Sequence, residues 1–159
     1  MLFLYRILIN ITFFLSPLII LYRILQKKED PIRVKEKLCL FSKKRKKGKI
    51  IWFHGASVGE FMSIVPLIEK YENDQRVSQI LITSNTLSSS KIISKLNSKK
   101  VVHQFFPIDT NFLSKNFLEY WKPSLVLFID SEIWPNMILN LEKKNIPIIL
   151  INGRITKKT

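Results

Sequence analysis

The stretch KIIWFHGASVGE, residues 49–60, decides the fold. Its first half, Lys49–Phe53, is a continuous apolar run, the composition of a strand covered on both faces. Its second half changes character at once. A His, two Gly, a Ser and a Glu crowd the turn that follows the run. Ser57 and Glu60 fit the S-x-x-E capping box, in which each side chain satisfies a free backbone N–H at a helix start. The same carboxylate is also placed to act on a ligand as a catalytic group, and these residues alone leave both readings open.

Working outward, apolar runs alternate with amphipathic segments. The spacing predicts a helix over Gly59–Tyr71 with Phe61, Ile64, Val65 and Ile68 on one face. Strands follow at Ser78–Thr83, Val101–Phe105, Ser124–Ile129 and Pro147–Ile151. Helices separate them at Leu87–Leu96, Asn111–Trp121 and Pro135–Lys144, the middle one with Phe112, Phe117, Leu118 and Trp121 as its apolar face. This strict alternation predicts an α/β fold built on an open parallel, Rossmann-like sheet with right-handed crossovers. Ligands of such sheets bind beyond the carboxyl ends of the strands. The polar residues collect there: His54, Ser57 and Glu60; Ser84, Asn85 and Thr86; Pro107 and Asp109; Asp130, Ser131 and Glu132; Asn152, Gly153 and Arg154.

Twenty-six Lys and Arg against twelve Asp and Glu give a net charge of +14, which favours anionic partners. The single cysteine, Cys39, excludes an internal disulfide, and no Cys/His cluster has metal-ligand spacing. Residues 1–25 are apolar over a length that fits a bilayer crossing, with Arg6 and Arg23 near the ends and Tyr5 and Tyr22 available for the interfaces. The length of the run and the lack of a small-residue cleavage site favour a retained anchor over a cleaved signal. Residues 26–48 are strongly basic, and the run KKRKKGK spans 43–49. Such a flank is expected to stay on the cytoplasmic side, against anionic lipid headgroups. No aromatic residue interleaves the run, so a nucleic-acid surface is not expected.

Glu60 lies in the first turn of its helix, where the dipole and free N–H groups stabilise its charge. Glu132 stands just before Trp134-Pro135, at the start of another helix. Each has an ordinary reading as helix-end electrostatics, and His54 one as a hydrogen-bonded strand-end histidine. Gly55 and Gly59 allow an unusual backbone or the close approach of a ligand. The pattern is neither G-x-G-x-x-G nor a Walker A loop, which argues against nicotinamide and ATP chemistry.

Taken together, IWFHGASVGE, LITSNTLSS, FFPIDTNFLSKNFLEYWKP, DSEIWPNMI and INGRIT come in an order that resembles the bacterial 3-deoxy-D-manno-octulosonic acid (Kdo) transferases. The resemblance implies the N-terminal part of a GT-B glycosyltransferase. Residues 1–25 would be a transmembrane anchor, 26–48 a basic juxtamembrane segment, and 49–159 a truncated acceptor-binding domain whose donor-binding partner domain lies outside this chain. It implies transfer of Kdo from CMP-Kdo to the lipid A precursor without metal or other cofactor, at the cytoplasmic side of an inner membrane. It further implies Glu60 as proton acceptor, Glu132 as transition-state stabiliser, and His54, Ser57, Gly59, Asn152 and Arg154 as substrate contacts. The expected partners are the two substrates, anionic inner-membrane lipid and a separately supplied donor domain. The alternative is a catalytically inactive membrane-surface remnant of such an enzyme, or an acceptor-binding subunit that needs a separate donor domain.

Overall fold

The computed structural model describes residues 1–96, 98–130 and 132–153. After an N-terminal helix α1 (Leu2–Leu25) and a 3₁₀ turn (Val34–Leu38), the chain runs β1 (Lys49–His54), α2 (Val58–Ser63), α3 (Val65–Asn73), β2 (Val77–Ser84), α4 (Leu87–Ile93), β3 (Val101–Phe105), α5 (Asn111–Trp121), β4 (Leu125–Ile129), α6 (Pro135–Lys143) and β5 (Ile148–Ile151). The five strands form one sheet in the order β3-β2-β1-β4-β5, with all four pairings parallel. The α/β reading therefore holds, and β1 lies at the centre of the sheet.

Alternate side chains of β1 feed two cores. Ile50 and Trp52 join Phe117, Trp121, Met137 and Leu141 under α5 and α6. Ile51 and Phe53 join Phe61, Ile64, Ile68 and Ile93 on the opposite face, under α2, α3 and α4. This two-sided burial explains why the strands read as unbroken apolar runs.

Two details differ from the sequence expectation. The single helix predicted over Gly59–Tyr71 is two helices that meet at Ile64. Pro66 has no N–H to give the preceding turn and its ring crowds that turn, so the helix restarts there. On α5, Leu113 takes the inward place expected of Phe112, which is 67% exposed. The Thr110 hydroxyl accepts from Leu113 N at 3.1 Å, and that cap sets where the helix begins.

The basic segment 26–48 is tied closely to the sheet. Glu36 is fully buried. Its carboxylate accepts from Arg33 Nε at 2.9 Å, from the Ser42 hydroxyl, and from Phe105 N at 2.8 Å on edge strand β3. Gln79 is exchanged in the same way, accepting from Lys46 N and donating to the Lys44 carbonyl. Arg33 Nη2 donates to the His103 carbonyl and reaches His103 Nδ1 at 2.8 Å. A guanidinium only donates, so Nδ1 accepts and Nε2 carries the proton toward Ser84 Oγ. Burial first, then the charges of Arg33 and Lys43, push the His103 pKa down to about 3.

Candidate functional site

The carboxyl end of β1 turns at Gly55 into the N-terminus of α2. The capping box is present in both directions. Ser57 Oγ accepts from Glu60 N at 3.2 Å, and Glu60 Oε1 accepts from Ser57 N at 3.2 Å. The second oxygen, Oε2, accepts from Ala56 N at 2.8 Å. Both carboxylate oxygens are thus held by backbone donors. A carboxylate has about four lone-pair directions, so each oxygen keeps room for a further proton or hydroxyl. The loop is fixed from the other side by Ser89 Oγ, which donates to the Ala56 carbonyl at 3.0 Å.

The two glycines differ. A Cβ on Gly55 would stand 3.0 Å from both Glu60 Oε2 and Ile129 Cδ1, so Gly55 makes room for the carboxylate itself. A Cβ on Gly59 would meet nothing within 4 Å. Packing within the chain therefore does not demand glycine at 59, and the bare backbone there faces an open cleft. That cleft, of about 540 Å³, is lined by Ser57, Gly59, Glu60, Ser63, Asp130, Asn152 and Gly153.

Its far wall comes from the ends of β4 and β5. Asp130 and Asn152 both take left-handed backbone conformations, with φ of 57° and 55°. Asn and Asp tolerate this better than other non-glycine residues. Asn152 Nδ2 donates to Ser63 Oγ at 3.3 Å, closing the wall onto α2.

Beside the cleft lies a second polar group. His54 is fully buried, stacked on Phe106 with ring centroids 4.0 Å apart. Its Nδ1 lies 3.1 Å from the Thr83 carbonyl and 2.9 Å from Thr83 Oγ1. The carbonyl only accepts, so Nδ1 bears a proton. Thr83 Oγ1 in turn accepts from buried Trp52 Nε1 at 2.8 Å. On the other side, His54 Nε2 lies 3.3 Å from Glu132 Oε2, and Trp134 Nε1 lies 3.0 Å from each of them. The contact with His54 is the main cause holding the Glu132 carboxyl below its ordinary range, against partial burial, which acts to raise it. His54 thus reaches the site's edge through Glu132 and Trp134 while its ring stays enclosed.

Of the residues singled out from sequence, Ser57, Gly59, Glu60 and Asn152 line one cleft. His54 and Glu132 form the adjoining pair. Arg154 lies outside the described residues, as does Ser131. Asp109 has a different employment from the other strand-end polar residues. It is fully buried, and it accepts from Asn136 N at 2.9 Å and Met137 N at 2.8 Å, capping α6. Ser63, Thr83 and Trp134 were not distinguished by sequence. Ser63 and Thr83 resemble any helix or strand hydroxyl, and only the Trp134-Pro135 pair marked a helix start. Among the described residues no group of three or more His, Cys, Asp and Glu is placed to hold a metal ion.

Comparison with known proteins gives a consistent result. The family described as 3-deoxy-D-manno-octulosonic-acid transferase (kdotransferase) matches residues 32–159. A 3-deoxy-D-manno-octulosonic acid transferase of Rickettsia bellii is 39% identical over 152 residues, covering 94% of this chain and 36% of the relative. A probable mitochondrial 3-deoxy-D-manno-octulosonic acid transferase of Arabidopsis thaliana is 35% identical over 160 residues, covering 99% of this chain and 36% of the relative. The transferase of Haemophilus influenzae is 30% identical over 109 residues, covering 69% of this chain and 26% of the relative. The chain thus spans 36% or less of the length of each of these curated relatives.

Proposed function

Because the chain belongs to the 3-deoxy-D-manno-octulosonic-acid transferase family, we propose that it forms the acceptor-binding side of an enzyme that moves Kdo from CMP-Kdo to a lipid A precursor. The observation that carries this reading is Glu60. Its carboxylate is pinned by two backbone N–H groups and opens on a cleft of about 540 Å³ at the carboxyl edge of a parallel sheet.

In this reading the acceptor hydroxyl enters the cleft beside Gly59, where no side chain obstructs it. Glu60 takes its proton as the oxygen bonds to the anomeric carbon. The bond from that carbon to the CMP phosphate breaks, and CMP leaves with the electron pair. A hydroxyl is a poor nucleophile without such a base, and a positioned base contributes about 10²–10⁴-fold in rate. Glu132, oriented by His54 and Trp134, stabilises positive charge that develops on the sugar. Ser57 and Asn152 bind acceptor hydroxyls, and Arg154 a substrate anion. Donor contacts come from a second Rossmann-like domain across the cleft, within the length of the relatives that this chain does not span. Neither metal nor cofactor takes part.

The test is a transfer assay. Membranes holding this chain, with and without a supplied donor domain, receive CMP-Kdo and the tetraacylated lipid A precursor, and the product is weighed by mass spectrometry. A gain of one Kdo that needs the donor domain and disappears with Glu60→Ala supports the reading. No gain under either condition rejects it and leaves a non-catalytic membrane-surface protein.

A further inference from the structure

The carboxyl edge of the sheet carries a second polar cavity, apart from the Glu60 cleft. It measures about 320 Å³, and Arg23, Lys27, Lys28 and Lys91 line it together with Thr86 and Ser88. The four cations come from two parts of the chain, the end of α1 and helix α4, and no Asp or Glu lines the cavity. Like charges gathered in one place repel one another unless an anion offsets them.

A helix C-terminus favours cations, which is an ordinary role for Arg23, Lys27 and Lys28 at the end of α1. It does not account for Lys91, which α4 brings to the same cavity, nor for the backbone at Lys27. Lys27 N donates to the Ile24 carbonyl and Lys28 N to the Arg23 carbonyl, both at 2.9 Å, the closing pair of a Schellman turn. That turn holds Lys27 in the left-handed region, with φ of 55°, where glycine is usual. A lysine there gives up stability that glycine would supply, and its ammonium is what the cavity gains. Arg23 is held ready from behind. Its Nε donates to Glu29 Oε1 at 2.7 Å, and the same oxygen accepts from Lys37 Nζ at 2.6 Å. Glu29 is buried, so the guanidinium is anchored through Nε, and its two terminal nitrogens remain as donors for a ligand.

The cavity lies close to Glu60. Thr86 Oγ1 is 3.5 Å from the Ala56 carbonyl oxygen, and Ala56 N donates to Glu60 Oε2 at 2.8 Å. One residue spans at most about 3.6 Å, so the Thr86 hydroxyl is within about 10 Å of the Glu60 carboxylate. A phosphorylated sugar unit covers such a span. Arg23 also borders a neighbouring groove of about 450 Å³, whose apolar walls include Ile9, Phe106, Pro107 and Trp134. Trp134 Nε1 in turn donates to Glu132 at 3.0 Å. A molecule that passes Arg23 from cavity to groove is therefore an amphiphile, with an anionic head and an apolar tail.

We propose that the cavity formed by Arg23, Lys27, Lys28 and Lys91 binds a phosphate monoester carried by the acceptor glycolipid, and so holds the acceptor with its hydroxyl at Glu60. This deepens the transfer reading and rests on it for the identity of the acceptor. A phosphate monoester carries a charge of about −1.5 to −2 near neutral pH and offers three strong acceptor oxygens. Four cations and two hydroxyls suit it better than they suit the single charge of a phosphodiester.

The test is a binding measurement that needs no donor. The full chain in neutral detergent micelles is titrated with the tetraacylated lipid A precursor and with the same lipid after phosphatase treatment. The phosphorylated form should bind about tenfold more tightly or better. Lys27→Ala, Lys28→Ala and Lys91→Ala together should remove that preference and leave binding of the dephosphorylated lipid unchanged. Taking the same charge from Lys44, Lys47 and Lys49, around the start of β1, should leave the preference intact. A preference that survives the first triple substitution, or falls equally with the second, overturns the proposal. Lys27→Gly should weaken binding of the phosphorylated lipid by roughly two- to fivefold while the chain unfolds at no lower temperature, since glycine suits the left-handed backbone. Unchanged binding in that variant would remove Lys27 from the site. Phosphatidylglycerol, a phosphodiester, added in equal amount to the micelles should leave the preference in place; if it abolishes the preference, the cavity holds a bilayer headgroup and the assignment to the acceptor fails. Phosphate-dependent binding by a chain that transfers no Kdo when a donor domain is supplied would refute the transfer reading alone. Transfer without phosphate preference would refute this proposal alone.

Discussion

Glu60→Gln separates the two employments of the carboxylate. The glutamine carbonyl can still accept from one of Ala56 N and Ser57 N, while its amide nitrogen faces the other donor. One charge-assisted hydrogen bond of the pair at 2.8 and 3.2 Å is lost, costing about 1–2 kcal/mol. For a chain of this size that lowers Tm by about 2–8 °C. If Glu60 is also the proton acceptor, transfer falls by about 10²–10⁴-fold, far beyond the stability loss. Thr110→Ala supplies the matched control. It removes a cap of the same kind, the hydroxyl that accepts from Leu113 N, at a cost of about 1 kcal/mol, away from the cleft. Both variants are placed in a polypeptide that also carries the donor half and compared by thermal unfolding and by Kdo transfer. Equal loss of Tm with transfer lost only in Glu60→Gln is the expected outcome. If Glu60→Gln turns over within about threefold of Thr110→Ala, well short of the loss of a base, the residue is a cap alone.

Further outcomes follow from the same geometry. Gly55→Ala should displace the Glu60 carboxylate, since the new Cβ meets Oε2 and Ile129 Cδ1 at 3.0 Å, and transfer should drop more than substrate affinity; kcat and KM measured separately check this. His54→Asn should let the Glu132 carboxyl return toward its ordinary range, read by carbon NMR titration. Because that carboxyl is depressed in the folded chain, the stabilisation from the pair is present above its unfolded pKa and is lost as pH falls through the folded value. His103, with its folded pKa pushed down to about 3, should destabilise the fold progressively as pH falls from its unfolded value of about 6.5. Above that pH its neutral ring matches Arg33 and Ser84 and the contribution is complete; His103→Gln should flatten this part of a stability-against-pH curve. Asp109→Asn should cost about 3 kcal/mol by turning an amide nitrogen toward two donors, those of Tyr5 and Asn136 or those of Ser114 and Met137, measured by urea unfolding.

The order and kind of the elements were legible in the sequence because a parallel strand covered on both faces must be apolar throughout, while a surface helix must alternate. Local chemistry was legible too: S-x-x-E fits a capping box, and the structure contains one at Ser57 and Glu60. Tertiary structure decided which strand-end polar residues share a space. Glu60 and Asn152 are far apart in the chain, and only the placement of β1 and β4 side by side, with β5 beyond, brings them to one cleft. It also decided that Asp109 is spent on capping α6, and that Glu132 answers to His54 across a gap of many residues. The posture of α1 was the least legible feature. Its sequence shows an apolar run long enough to cross a membrane and does not say which of its residues meet the domain, because hydropathy counts residues without regard to direction. Two polar contacts, Tyr5 to Asp109 and Arg6 to Asn136, tie it to the domain, and their partners come together only after the sheet has folded.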